Sequence, residues 1–391
     1  MPAPSSSPIH PVLAELTAAA DARRLSGAGL LAALAQVPDP RKRRGVRHSI
    51  TTILALAVCA VLAGCRSFTA IGEWAANASG QILAALEVGG YPPCESTIRR
   101  TLQRLDGDEL DSAIGGWAAA RTEVPAGTRR AIAIDGKTVR GSGSSTQHAR
   151  HLLAAIDHRS GVVLGQVDVD TKTNEISRFR CLCESIATLT DAVVTADALH
   201  TQRNHADYLV LERGSHYLLT VKANQPGLRN QLTALPWKDI PPAHTSADRA
   251  HGRVEQRIVK AATVQTGIVF PHARQAIQIT RKTRRLDSKK WTTETVYAIT
   301  SLAAEQVTAA ELASWIRGHW AIENRLHWVR DVTYDEDRSQ VRTGTGPRTM
   351  ASLRNIAVSV LRITHGTTNI AQAIRHHAWD PLRPITLLLT N

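Results

Sequence analysis

Disulfide chemistry is missing from this sequence. Its five cysteines, Cys59, Cys65, Cys94, Cys181 and Cys183, form neither a paired framework nor a zinc-ligand spacing. Cys181 and Cys183 fall in an apparent helix, where residues two apart point in different directions. They read as free thiols in a reducing cytoplasm. A membrane span is missing too. The apolar run from Ile50 to Gly64 follows Arg41, Lys42, Arg43 and Arg44 and superficially resembles a signal peptide. It starts far into the chain and is shorter than the roughly 20 residues a membrane helix needs, so a buried core helix is expected. Acidic charge is in short supply as well. Asp+Glu number 34 against 47 Lys+Arg, a net charge of +13. That excess favours a polyanionic partner held through phosphate neutralisation and counterion release, against the plainer reading of a merely basic soluble protein.

The composition that remains is globular. A hydrophobic content of 43% supports real cores, a charged fraction of 21% argues against wholesale disorder, and 391 residues suggest two or three domains. Residues 1–9 open on a Pro/Ser-rich tail that is expected to be disordered. Residues 10–121 carry apolar positions at three- and four-residue spacing, beginning with a helix over 12–20, and predict an all-α domain. Residues 122–130 read as a linker. From residue 131 to 391 the pattern is α/β: a strand ending at Asp135, a hairpin of 151–157 and 162–169, a helix over 175–189, and a strand ending at Asp197. A helix over 202–213 and a strand over 215–221 complete the order of a ribonuclease H-like core. Residues 226–302 turn alternating, β-branched and basic, and predict a β-rich insertion. Helices then run to the C-terminus.

Three acids stand out. Asp135 and Asp197 each leave a short apolar run, Ala131–Ile134 and Ala192–Ala196, where α/β sheets place their chemistry. Two carboxylates at neighbouring strand ends repel unless a cation lies between them, and a magnesium pair would serve. The bland readings are a turn-forming Asp-Gly at Asp135 and a helix cap at Asp197. Glu323 lies at the margin of a buried helix face defined by Leu312, Trp315, Ile322, Leu326 and Val329. It could instead be a boundary glutamate bonded to His319 or Arg330. Glu175 is a rival acid that also suits a helix start. For DNA, the segment around Ile98 places Arg99, Arg100 and Arg104 outward on a helix capped by Ser96 or Thr97, as a major-groove recognition helix would, although basic solvent faces are common without DNA. Lys137, Arg140 and Lys222 follow strand ends where a phosphate backbone could run. Trp320 or Trp328 could stack on an unpaired base.

The chain resembles bacterial insertion-sequence DDE transposases of the H-repeat-associated (ISAs) group. The resemblance rests on AIDGKTVRGS (133–142), DTKTNEI (170–176), TADALHTQ (195–202), YLLTVKANQP (217–226), HGRVEQR (251–257) and RGHWAIENRLHWVRDVTYDEDRS (317–339). It implies that Asp135, Asp197 and Glu323 are the catalytic, metal-holding triad. It also implies Mg2+ as cofactor with Mn2+ able to substitute. The partners would be double-stranded DNA, both terminal repeats and target, met by a homodimer in a cytoplasmic, nucleoid-associated setting. Against the related Tyr-Arg-Glu-Lys signature, Ile316, His319 and Arg330 stand at the tyrosine, arginine and lysine positions. Arg317 could supply the missing guanidinium, and Arg317, His319 and Arg330 are carried as candidate DNA contacts. The expected reaction is cleavage at the element's ends followed by strand transfer. The alternatives are a catalytically inactive relic that only occupies terminal repeats and a nuclease without a joining step.

Overall fold

The structure, a computed structural model, describes residues 29–44, 46–146, 148–169, 174–250, 252–264, 266–366 and 369–391. The tail over 1–9 and the helix expected over 12–20 lie outside the described residues. Among those described up to Ala120, the regular elements are helices: α1 (Leu30–Ala35), α2 (Ile50–Leu62), α3 (Phe68–Ala76), α4 (Gly80–Ala85), α5 (Glu95–Leu102) and α6 (Gly107–Ala120). Ser49, Ser67, Ser79 and Asp106 cap α2, α3, α4 and α6, each side chain accepting from a backbone N–H of the first turn. The run read as a core helix is α2, buried on every side. No helix among the described residues is long and apolar enough to cross a membrane. The cap of α5 is Cys94, two or three residues before the expected Ser96 or Thr97, while Ile98, Leu102 and Leu105 face inward.

These helices share a single apolar core with the chain's last three, α11 (Gly346–His365), α12 (Ile370–Ala378) and α13 (Leu382–Thr390). Leu30, Ile53, Leu110 and Ile114 meet Met350, Leu353, Ile385 and Leu388 there. A charge cluster runs alongside. Arg348 of α11 pairs with Asp111 and, at 3.1 Å, with Asp108, and donates to the Gln166 carbonyl at 2.7 Å. The N-terminal helices are thus bound to the C-terminal ones and to the sheet.

That sheet has nine strands among the described residues: β1 (Ala131–Val139), β2 (Arg150–Asp157), β3 (Val163–Val169), β4 (Val193–Ala196), β5 (His216–Val221), β6 (His244–Ala250), β7 (Arg253–Thr263), β8 (Gln275–Arg285) and β9 (Thr292–Thr300). Their order is β3-β2-β1-β4-β5-β9-β8-β7-β6. β1 runs antiparallel to β2 and parallel to β4, and β4 runs parallel to β5. The β-rich stretch does not stand apart as an inserted subdomain. β9 pairs with β5 through Leu218↔Thr300 to Val221↔Tyr297, and β8, β7 and β6 extend the same sheet outward. β6 reads HTSADRA and is mostly exposed at the sheet edge, so it carries no apolar alternation by which a strand is recognised.

Alternation sorts the two faces. Ile132 and Ile134 join Phe179 and Leu182 of α7 (Glu175–Ser185), Ala206 of α8 (Arg203–Asp207) and Leu232 of α9 (Pro226–Thr233). Ala131 and Ala133 face α10 (Ala309–His319) and its continuation, against Leu312 and Trp315 in one cluster and Ile322 and Leu326 in another. β1 also continues through Asp135 and Gly136 to Val139, still paired to β2. Gly136 is therefore no sharp exit. A side chain there would strike the Glu175 carboxylate, so glycine makes room for a close neighbour.

The helix that continues α10 winds as π-helix over Glu323–His327 and Val329–Thr333. Arg330 within it is completely buried. It pairs with Glu336 at 2.8 Å and donates to Gln166 at 2.8 Å, while Arg354 of α11 reaches the other Glu336 oxygen at 2.7 Å. Burial opposes ionisation of Glu336, but the two guanidiniums outweigh it and hold its pKa at about 2. Glu336→Gln strands two buried cations and is expected to lower stability by about 3–5 kcal/mol in urea denaturation. A folded pKa below the unfolded value means that this contribution is full above about pH 4.5 and is lost as pH falls toward 2. The stability difference between wild type and Glu336→Gln should therefore shrink across that window.

Candidate active site

Asp135 follows Ala131 and Ala133 on one face of β1, and that face lies beneath α10 and its π-helical continuation. Its carboxylate consequently points at the helix. Asp135 Oδ2 lies 3.6 Å from His327 Nδ1, which lies 3.1 Å from Glu323 Oε2. One ligand atom from each of the three falls within 4.8 Å of the others. Lys137, two residues further along the same face, bonds Asp331 of the same helix at 2.5 and 2.7 Å.

β4 brings the second aspartate alongside. Its parallel pairing to β1 ends at Ile134↔Ala196, so Asp135 and Asp197 are the next residues on each strand. Asp197 caps a short 3-10 turn, accepting from the Leu199 N–H at 2.9 Å. Burial pushes the Asp135 pKa up to about 6; His327 and the Gly136 N–H oppose the rise, and the Asp197 and Glu175 charges add to it. Glu323 differs. It is 68% exposed, and the hydrogen bond from His327 holds its carboxyl below the ordinary range.

The three acids line one cleft of about 790 Å3 between the strand ends, α10 and the extended sheet. Lys222, Arg257, Arg281 and Arg317 line it too, with Trp320 and Asn324. Arg281 lies over the Trp320 ring at 5.6 Å. Two acids and an imidazole whose ligand atoms converge suit a divalent cation, and the cationic rim suits phosphates.

Other expected site residues are placed differently. Arg330, carried as a DNA contact, is fully buried on Glu336 and Gln166 and offers nothing to a ligand at the surface. Lys137 is also buried, engaged by Asp331 instead of facing a phosphate backbone. His319 hydrogen-bonds Thr195 Oγ1 at 3.2 Å, with His158 on the same hydroxyl at 2.9 Å. Burial lowers the His319 pKa to about 4, which leaves it neutral near pH 7 and not a phosphate-binding cation. Arg140 is exposed, 3.6 Å from Asp337. Lys222 is exposed in the cleft, and Arg317 lines it 2.9 Å from Asp248. On α5, Arg99 pairs with Glu95 at 2.8 Å, whereas Arg100, and Arg104 just beyond the helix, face solvent. Trp320 and Trp328 are both exposed.

Glu175 opens α7 as its first residue, as a helix-start acid would, with Asn174 as the N-cap. Its carboxylate is clamped by His151 at 2.7 Å and His200 at 3.1 Å, against Gly136. Burial opposes its charge, but the two hydrogen bonds prevail and hold its pKa at about 2. His327 is the site residue that reading the sequence missed. The signal was its place four residues after Glu323, on the same helix face.

Residues 126–360 match the family model described as "Transposase DDE domain", and residues 31–118 match one described as "DDE_Tnp_1-associated". The chain is 28% identical over 346 residues to "Putative transposase YncI" of Escherichia coli O157:H7, spanning 85% of this chain and 87% of that one. It is 27% identical over 338 residues to "H repeat-associated putative transposase YhhI" of Escherichia coli strain K12, covering 83% and 88%. A cryo-EM structure of the piggyBac transposase synaptic complex with hairpin DNA aligns over 96% of this chain and 78% of that one. With a TM-score of 0.41 and 11% identity, that likeness carries no argument about fold or residues.

The raised Asp135 pKa has a direct consequence. Between its ordinary value and about 6, the folded protein holds a proton that the unfolded chain has lost, so metal-free stability falls as pH rises through that window. Asp135→Asn removes the penalty. In thermal melts with chelator it should melt above wild type at pH 7, and the gap should close below pH 4.

Proposed function

The chain belongs to the DDE transposase family, and on that premise we propose that it cuts DNA at the ends of an insertion sequence and joins the freed strand to a target. The observation carrying this reading is the single cleft that gathers Asp135, Asp197 and Glu323 under a rim of Lys222, Arg257, Arg281 and Arg317. The family implies DNA phosphoryl transfer. The strand order β3-β2-β1-β4-β5, antiparallel across the first three and parallel across the last three, supports a ribonuclease H-like core.

Asp135, Asp197 and Glu323 would hold Mg2+, or Mn2+ in its place. Divalent cations in such a site activate water and stabilise the departing oxygen. In the first step a water oxygen bonds to phosphorus and the bond from phosphorus to the 3′-oxygen breaks, freeing a 3′-hydroxyl. In the second that hydroxyl attacks a target phosphodiester and displaces its 3′-oxygen. Lys222, Arg257, Arg281 and Arg317 bind and orient the phosphates, and their placement around the acids offsets the repulsion between carboxylates and DNA. Arg100 and Arg104 extend the binding surface along α5, with Arg99 restrained by Glu95. Pairing two element ends calls for a homodimer on the DNA. That all three acids line one cleft supports an active enzyme over an inactive relic.

Asp135→Asn or Glu323→Gln should reduce nicking of a labelled element end in Mg2+ by at least about 100- to 1,000-fold, while binding of the same end in a gel-shift assay persists. Nicking at wild-type rate by either variant would contradict the assignment.

A further inference from the structure

His327 is the part of the cleft that an all-carboxylate site leaves unexplained. It is 4% exposed, although Glu323, four residues earlier on the same helix, is 68% exposed. Its Nδ1 stands 3.1 Å from Glu323 Oε2 and 3.6 Å from Asp135 Oδ2, so it faces carboxylates from two separate elements. Only the first distance is a hydrogen bond. One N–H cannot serve both acids, whereas a cation among the three atoms could take one ligand atom from each. Those atoms already lie within 4.8 Å of one another. Nε2 is buried and has no hydrogen-bond partner among the described residues, so the polar contacts of the ring there are the two acids.

The backbone adds a second observation. Glu323–His327 is wound as a π-helix, a winding that is rare and frequent at functional sites. Asp197 lines the same cleft but does not join the tight group of three.

We propose that His327 is a nitrogen ligand of the divalent cation shared by Asp135 and Glu323, an inference that rests on the metal-dependent reading of this cleft. The donor set is then two carboxylate oxygens and one imidazole nitrogen. Magnesium takes oxygen ligands, whereas imidazole suits the transition metals, so the site favours Mn2+ over Mg2+ more than an all-carboxylate site would.

The test uses the full-length protein with MnCl2 alone. Binding is followed by titration calorimetry, and the bound ion by pulsed electron paramagnetic resonance. Wild type should show bound Mn2+ with nitrogen hyperfine coupling. His327→Gln should lose that coupling and weaken Mn2+ binding by about tenfold or more. His327→Asn gives the same readout should His327→Gln not fold, with melting in chelator as the fold control. Bound Mn2+ without nitrogen coupling in wild type overturns the proposal, as does coupling that survives both variants; either result leaves the carboxylate site standing. Mn2+ binding that is unchanged in Asp135→Asn and Glu323→Gln overturns the metal-site reading itself, and the histidine ligand with it.

Discussion

The register of β1 against the helix above it is the constraint from which the site follows. Ala131, Ala133, Asp135 and Lys137 share one face of the strand, and each meets a successive part of the chain between Leu312 and Asp331. The two alanines present only methyl groups to the helix, which lets it lie close to the sheet. Asp135 then meets His327 and Glu323 with no further adjustment, and the Lys137–Asp331 pair fixes the helix one step beyond. A slip of one residue would turn Asp135 to the opposite face, toward the layer of α7 and α8. Site geometry and core packing are therefore the same arrangement.

Beyond Asp331 the helix is secured by charge. Arg330, Glu336 and Arg354 form a buried unit with Gln166 of β3, and Arg348 binds Asp108 and Asp111 of α6. Such buried ions cost much to desolvate and are weak evidence of net stability, but here each is held by specific partners. Here they join the N-terminal helices, the sheet and the C-terminal helices around the segment that carries Glu323. The net charge of +13 thus overstates the cations free to meet DNA, because Arg330, Arg348 and Arg354 are enclosed.

Much of this was legible in the residues. Apolar runs ending in aspartate located two adjacent parallel strands, and the spacing of Leu312, Trp315, Ile322 and Leu326 put Glu323 at the edge of a buried helix face. The cations were less legible. A lysine two residues after Asp135 looks the same whether it meets a phosphate or a carboxylate 194 residues away, and Lys137 meets Asp331. Arg330 was carried as a DNA contact because it stands at the lysine position of the signature, and its partners, Gln166 and Glu336, come together only in the folded chain. β6 escaped notice for the opposite reason, since an exposed edge strand buries too little to leave a pattern. Gly136 was read for its turn-forming freedom, whereas the position needs the space that a missing side chain leaves for Glu175.

The most direct measurement of the central claim, that Asp135, Asp197 and Glu323 line one site for divalent cations, is affinity cleavage. Fe2+ replaces the native ion in the full-length protein, and ascorbate with peroxide generates hydroxyl radicals that cut the backbone close to the bound metal. The account predicts cuts clustered near residues 135, 197 and 323, suppressed by excess Mg2+ and absent from Asp135→Asn. Scattered cleavage, or cuts that avoid any one of the three segments, would contradict it.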